Sequence, residues 1–484
     1  MPSALRHLPL ILLVLAAAWL RCRDLAVRPM HTDEANQAVK AGQLLESGHY
    51  AFDPKDHHGP VLYYAALPLA WIRGQHTLAQ LDETTVRLLP ALAGTLSVLL
   101  LAWLAAPIGF WPALAAAAFL ALSPPSVYYS RYFVQETLMV TFTLAAFAGV
   151  RRWWLTGRTR WALVAGACYG LMQATKETAP LFALAGAIAA VAARPAREPG
   201  VELHCGRDGA LALAAAVAVA VVFFSSFGTH FSGVRDALDA YGALAARLGT
   251  GATGHEKPWW YFLQLFTWQR NGGLVFEQTA FAGLAVAGFA LAVTTRDALL
   301  RWTGVYTGIV LLVLSATAYK TPWHAINLVP GLAILAGGAL AWISRRQFGP
   351  VVAAALAALV LATGALGTFR TSFRYAADAR NPYAYVHSSP DVLKFRALVQ
   401  AAALRHPNAP IRIISEEYWP LPWYLRGLDN IGYWDAPPAD CDGALVIVSA
   451  GLAQAVRVRL HEEYRQTYLG LRPGFVCLVL TPEP

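Results

Sequence analysis

The sequence predicts an all-α polytopic membrane protein of about eleven transmembrane helices carrying a small external C-terminal α/β domain. Three observations predict it. The 484 residues are 57% hydrophobic and 14% charged, with a mean hydropathy of +0.43, too apolar and charge-poor for a soluble globular chain. Leu/Ala/Val-rich runs of roughly the 20 residues that a bilayer core demands recur along most of the length. After about residue 369 these runs stop, and short β-branched stretches alternate with helical patterns. Lipid offers no partner to an unpaired peptide group, so the apolar runs are expected to be helices.

The first run, MPSALRHLPLILLVLAAAWLRC, has the basic start of a secretory signal, but no small-x-small site closes it and many apolar runs follow; it reads as a retained span. Spans are expected near 5–22, 82–105, 111–127, 134–150, 161–175, 178–193, 209–228, 274–294, 300–318, 323–343 and 350–368. Alternate gaps carry the arginines: Arg151, Arg152, Arg158 and Arg160, then Arg194, Arg197 and Arg207, then Arg296 and Arg301, then Arg345 and Arg346. The positive-inside rule places these gaps in the cytoplasm. The chain is then a multi-pass protein of the cell's inner (plasma) membrane with a cytoplasmic N-terminus. Segments 23–81, 128–133, 175–178, 229–273 and 319–324 fall outside, together with the C-terminal domain.

The stretch GPVLYYAALPLAWIRG (59–74) is short and interrupted by Pro68. A crossing there would invert every later loop, so it is expected to lie along the interface. The predicted organisation is a membrane domain over 1–369 with an external loop at 23–81, and an external soluble domain over 370–484. In that domain IRIISEEYWPLPWYLRG, ALVIVSAG and GFVCLVLTP read as strands, with helices at 391–404 and 452–466.

Composition also excludes functions. The net charge of +9 sits in loops that orient spans, and no basic stripe marks a nucleic-acid partner. Five cysteines show neither CxxC nor metal-ligand spacing; Cys441 and Cys477 can pair only in an oxidising compartment. No inverted repeat supports a secondary transporter.

Chemistry concentrates in the external segments. HTDEANQAVK opens a helix whose expected N-cap is Thr32, with Asp33 and Glu34 in the first turn. A helix-dipole contact is the plainest explanation of the two acids. Adjacent helical residues point about 100° apart, so they need different roles. External turns present YYSRYFVQET (Arg131, Glu136), ATKETAP (Lys176, Glu177) and AYKTPWH (Lys320, His324). A single such charge is explained by snorkelling to headgroups. Three cations on the side of one acid-bearing loop describe a lipid-facing pocket for an anionic group, with a carboxylate beside it. In the tail, EEYWPLPWYLRGLDNIGYW suits sugar stacking or interface packing, the latter preferred.

The N-terminal span, the Asp33-Glu34 pair, KDHHGPVLYYAALPLAW and VRLLPALAGTLSVLLLAWLA resemble polyprenyl-phosphate-dependent glycosyltransferases of the GT-C fold, in the protein O-mannosyltransferase and aminoarabinose transferase branch. HTDEA, KTPWH and WPLPWYLR are most similar to bacterial and archaeal proteins described as flippase-activity-associated. The resemblance covers nearly the whole chain, most specifically 31–64 and 319–330. It implies that Asp33 is the catalytic carboxylate and that Arg131, Lys176 and Lys320 hold the lipid phosphate. Two features depart from the pattern: Glu136 stands where relatives often carry an Asp nearer the arginine, and TKET replaces a commoner Lys-Gly.

The implied reaction replaces the lipid phosphate at a sugar's anomeric carbon by an acceptor hydroxyl. A carboxylate that takes the hydroxyl proton contributes typically 10²–10⁴-fold, the role expected of Asp33. Prepositioned cations stabilise the departing phosphate: Arg131 as a fork, Lys176 and Lys320 as point charges. Glu34 orients the acceptor or caps the helix. His57, His58, Glu136 and His324 are expected to contact substrate, His324 because it follows Lys320 by one helical turn. No cofactor is expected. A divalent metal on His57, His58 and Asp33 is the less favoured alternative, since consecutive residues diverge in any regular element. The expected partners are a polyprenyl-phosphate sugar, an extracytoplasmic acceptor (protein, lipid or glycan) and membrane lipid. The rival reading is a non-catalytic, flippase-associated protein that binds the lipid-linked sugar.

The topology is directly testable. A cysteine introduced as Lys55→Cys should label from outside in intact cells; labelling only after permeabilisation would invert the assignment.

Overall fold

In the computed structural model, residues 3–54, 56, 58–196, 199–249 and 255–483 are described. The chain forms two compact units, neither contiguous in sequence: residues 1–23, 49–65 and 87–375, and residues 24–48, 66–86 and 376–484.

The first unit is a helical assembly. Each expected apolar run holds a helix: Ser3–Cys22, Glu83–Ala105 (in this unit from Arg87), Phe110–Leu122, Gln135–Thr156, Thr159–Gln173, Ala179–Ala193, Cys205–Phe224, Thr279–Thr294, Ala298–Ala316, Val329–Ile343 and Gly349–Phe369. Four helical stretches among the described residues, Glu83–Ile108, Cys205–Phe224, Ala298–Ala316 and Gly349–Arg374, are long and apolar enough to cross a membrane. Small residues let the helices approach: a Cβ at Gly166 would lie 2.0 Å from the Ala212 carbonyl oxygen of the neighbouring helix.

Prolines reset several expected boundaries. The run expected over 111–127 breaks at Ser123, and Pro124–Tyr129 forms a separate short helix because Pro124 and Pro125 fit only a first turn. The run expected from 323 begins instead with a 3₁₀ turn, Pro322–Asn327, and Pro330 opens the following helix. The run expected from 274 starts as a hairpin, β1 (Trp268–Asn271) paired antiparallel with β2 (Leu274–Glu277), and turns helical only at Thr279.

The second unit contains a five-stranded mixed sheet. Its strands are β3 (Ile411–Ile414), β4 (Ile431–Trp434), β5 (Leu445–Ser449), β6 (Tyr464–Arg472) and β7 (Phe475–Pro482), in the order β4-β3-β5-β7-β6. β3 is parallel to β4 and β5, while β7 is antiparallel to β5 and β6. Central β5, LVIVS, is buried throughout, as a strand covered on both faces requires. Val446 and Val448 join Ile414, Leu478 and Leu480 in one apolar core. The expected helix at 391–404 is present as Val392–Arg405. The helix expected over 452–466 is corrected: only Ala453–Arg457 is helical, and from Tyr464 the chain pairs with β7 as an edge strand. Cys441 and Cys477 are buried free thiols.

Part of the tail motif turns inward. Trp423 is fully buried; its Nε1 donates to Glu83 Oε1 at 2.7 Å, and the Arg426 guanidinium lies 3.8 Å from its ring centroid. Arg426 Nη2 donates to the Leu81 carbonyl at 2.7 Å, and Tyr424 Oη accepts from the Met30 N–H at 2.7 Å. The motif thus ties both loop segments of the second unit, 24–48 and 66–86, to residues of the C-terminal segment. Trp423→Phe removes the donor to Glu83 and should cost about 1–3 kcal/mol, read as a lower Tm of the purified protein. An unchanged Tm would show that this bond contributes nothing.

Candidate functional site

In the first unit, charge gathers where three helices end. Glu136 lies in the first turn of Gln135–Thr156, Lys176 just beyond Thr159–Gln173, and His324 in the 3₁₀ turn before Val329–Ile343. Lys176 Nζ donates to Glu136 Oε1 at 2.5 Å and lies 3.5 Å from His324 Nε2, whose Nδ1 is 3.3 Å from Thr321 Oγ1. Lys176 and Glu136 are both buried, so each is the other's principal compensation for lost water. With Nε2 facing an ammonium, the consistent tautomer carries the ring proton on Nδ1, toward Thr321.

A second pair adjoins it in sequence: His58 Nδ1 lies 2.8 Å from Glu177 Oε2. Burial raises the Glu177 carboxyl, but the His58 charge and hydrogen bond outweigh it and hold the group below the usual carboxylate range. A backbone junction sets the register: the Val61 N–H donates to the Ala174 carbonyl at 3.1 Å, and a Cβ at Gly59 would lie 2.2 Å from that oxygen. Only glycine allows this approach. His57 lies outside the described residues.

The expected cations are therefore not equivalent. Lys320 is buried and donates to the Lys257 carbonyl at 3.1 Å and to that of Thr317. Because Lys320 precedes the 3₁₀ turn, the expected one-turn helical relation to His324 is absent. Arg131 directs Nη1 at the carbonyls of Leu20 and Arg21, in the last turn of Ser3–Cys22, and of Arg23 just beyond it, with its guanidinium 4.6 Å from the Phe373 ring centroid. Buried Arg21 does the same for its neighbour, donating to the Ala121 carbonyl at 3.0 Å and to Ser126 Oγ at 3.1 Å. Each guanidinium thus satisfies carbonyls at a helix C-terminus, where the dipole also favours it.

One helical turn further in, the same three segments line an apolar cavity of ≈ 1040 Å³: Val140 follows Glu136, Met172 precedes Lys176, and Asn327 follows His324. Phe147, Tyr169, Trp302 and Tyr306 form much of its wall.

In the second unit the two acids part company. The helix is Thr32–Ser47, but its N-cap is His31 rather than Thr32. His31 Nδ1 accepts from the Asp33 N–H at 3.1 Å, and Glu34 Oε2 accepts from the His31 N–H at 3.2 Å, a reciprocal capping box. Glu34 is fully buried and also meets Arg28 Nη2 at 3.5 Å; Asp33 keeps its side chain 43% exposed. His31 Nε2 lies 3.1 Å from the Tyr385 carbonyl, so the ring is protonated there and accepts at Nδ1. His387 stands edge-on to His31, 5.9 Å between centroids, its pKa driven well below the usual histidine range by burial and by the charge of Arg28. His31, Arg28 and His387 were absent from the sequence-based candidate set. The clue for His31 was its place directly before the acids, where a side-chain acceptor caps a helix.

Several solved structures share this architecture. ArnT from Cupriavidus metallidurans in the apo state superposes with a TM-score of 0.65 at 17% identity, covering 97% of both chains. The same protein bound to undecaprenyl phosphate gives 0.60 at 16% identity with equal coverage. The archaeal oligosaccharyltransferase AglB from Archaeoglobus fulgidus, in complex with an inhibitory peptide and a dolichol-phosphate, gives 0.56 at 13% identity over 96% of this chain and 72% of that one. The chain is an integral membrane protein with the GT-C glycosyltransferase fold. Residues 64–206 match the family model described as dolichyl-phosphate-mannose-protein mannosyltransferase. No curated protein matches the sequence.

Gly59→Ala should force the 59–61 and 174–176 backbones apart and lower the Tm by the equivalent of about 1–3 kcal/mol. Gly283→Ala, in a helix with open space around the site, is the control and should leave Tm unchanged or slightly raised. Equal effects would contradict the packing account.

Proposed function

We propose that this protein is a membrane glycosyltransferase that moves a sugar from a polyprenyl-phosphate donor to an extracytoplasmic acceptor hydroxyl on protein, lipid or glycan. The observation that carries the reading is the Lys176–Glu136–His324 cluster one helical turn beyond the inner end of an apolar cavity. A buried cation beside an apolar space suits an amphiphile whose head is a phosphate and whose tail is hydrocarbon. ArnT and AglB, which share the fold, are complexed with undecaprenyl phosphate and dolichol-phosphate respectively.

In this reading about eleven helices cross the bilayer. The N-terminus is cytoplasmic, and residues 370–484 lie outside. Lys176 and Lys320 neutralise the donor phosphate. Arg131, whose guanidinium holds the end of the first helix, acts as a positioning residue in that set. Asp33, the exposed acid of the pair, removes the acceptor's proton as the new bond to the anomeric carbon forms and the bond to phosphate oxygen breaks. Glu34, buried in the capping box, fixes the turn that carries Asp33. His58, Glu136 and His324 line the donor's polar end. Binding the phosphate requires Glu136 to yield part of its hold on Lys176, which keeps the ammonium from being over-neutralised before the donor arrives.

Transfer from a panel of polyprenyl-phosphate sugars to an envelope extract tests this. Asp33→Asn should cut transfer by roughly 10²–10⁴-fold while donor binding survives. Lys176→Gln should weaken donor binding itself. Unchanged glycan output from Asp33→Asn would remove the catalytic reading and leave the flippase-associated one.

A further inference from the structure

The apolar cavity has a second end. Along Gln135–Thr156 its lining runs from Val140 to Leu155, roughly 22 Å at 1.5 Å per residue, so it extends well away from Lys176. At the far end it is lined by Arg151, Trp154, Arg194 and Pro195. Arg151 and Arg194 are the charged residues among all those described in the lining, and no carboxylate lines it. Among the described residues neither arginine takes part in an ion pair. Arg151 rests 4.9 Å from the Trp103 ring centroid, and Trp154 Nε1 donates to the Ala196 carbonyl at 3.3 Å, which ties down the segment bearing Arg194. Val191 and Leu213 both line the cavity and stay 76% and 64% exposed, so it opens sideways at apolar side chains.

We propose that this arginine end is a separate lipid site, which seats the headgroup of an anionic phospholipid on Arg151 and Arg194 while its acyl chains enter past Val191 and Leu213. Charge complementarity selects the occupant: a zwitterionic lipid brings no net charge to two guanidiniums, and a soluble phosphate leaves the apolar wall unfilled. The tryptophans at this level suit the headgroup boundary, where aromatic rings with one polar atom concentrate. The site does not depend on Asp33 or on sugar transfer.

Native mass spectrometry of the full chain, titrated with phosphatidylglycerol, phosphatidylcholine, inorganic phosphate or undecaprenyl phosphate, tests it. Phosphatidylglycerol should be retained in preference to phosphatidylcholine, and inorganic phosphate should not compete. Arg151→Gln with Arg194→Gln should weaken phosphatidylglycerol retention roughly twenty-five-fold, from about fivefold per arginine, and leave undecaprenyl phosphate binding unchanged. Arg151→Lys with Arg194→Lys keeps the charge and should retain the lipid. Equal retention of the two phospholipids by the native chain overturns the proposal without recourse to any variant. So does loss of undecaprenyl phosphate in the glutamine variant, which would mean a single lipid occupies the whole cavity. Lys176→Gln separately reports the donor reading, since it should release undecaprenyl phosphate and spare phosphatidylglycerol.

Discussion

A buried charge at the end of an apolar helix cannot be left alone, and the first unit is arranged around that constraint. Lys176 stands just beyond one helix and Glu136 at the start of another, 2.5 Å apart and withdrawn from water. Removing either would strand the other at a cost of several kcal/mol, so the pair fixes how these helix ends meet. Gly59 and Ala174 bring His58 alongside Glu177 by the same logic of close backbone approach. Arg21 and Arg131 work at other helix ends, spending their donors on carbonyls that lipid could not satisfy. What distinguishes Lys176 is chemical: its partner is a carboxylate, a group that another anion can displace, whereas Arg131 Nη1 and Lys320 Nζ donate to backbone carbonyls.

The second unit solves a different problem, the placing of one exposed acid. Asp33 owes its position to neighbours on both sides: His31 receives its N–H, and Glu34 closes the cap from beneath. Tyr424 takes the Met30 N–H and the Tyr385 carbonyl takes the His31 ring proton, so the turn is anchored by residues 394 and 354 positions away. Such an arrangement suits the general-base role proposed for Asp33, because the fixed backbone aims the carboxylate while its exposed side chain stays open to an incoming hydroxyl.

The helical architecture was legible because lipid demands apolar runs, and those runs survive any ambiguity about partners. Boundaries were less so where proline sets them, at Pro124 and Pro322. The helical reading of 452–466 has a local cause: the charges of RLHEEYRQ pass for a solvated helical face, although Pro473-Gly474 marks the turn that folds β6 onto β7. Site residues were legible by type and location, but not by direction. Nothing in YYSRYF says that Arg131 faces the end of the first helix. Nor does the aromatic run around Trp423 announce that its indole bonds Glu83, 340 positions earlier in the chain. The different exposure of Asp33 and Glu34 follows from helix geometry once His31 is recognised as the cap; expecting the usual Thr there hid it.

The central claim is that Lys176 receives the phosphate of a polyprenyl lipid. It is tested most directly by solid-state NMR on protein with ¹⁵N-labelled lysine in phosphate-free detergent, measuring dephasing by ³¹P after undecaprenyl phosphate is added. The account predicts that the Lys176 Nζ resonance, identified by its loss in Lys176→Arg, is strongly dephased by the lipid's phosphorus. Dephasing confined to other lysines, with Lys176 unaffected at saturating lipid, would contradict it.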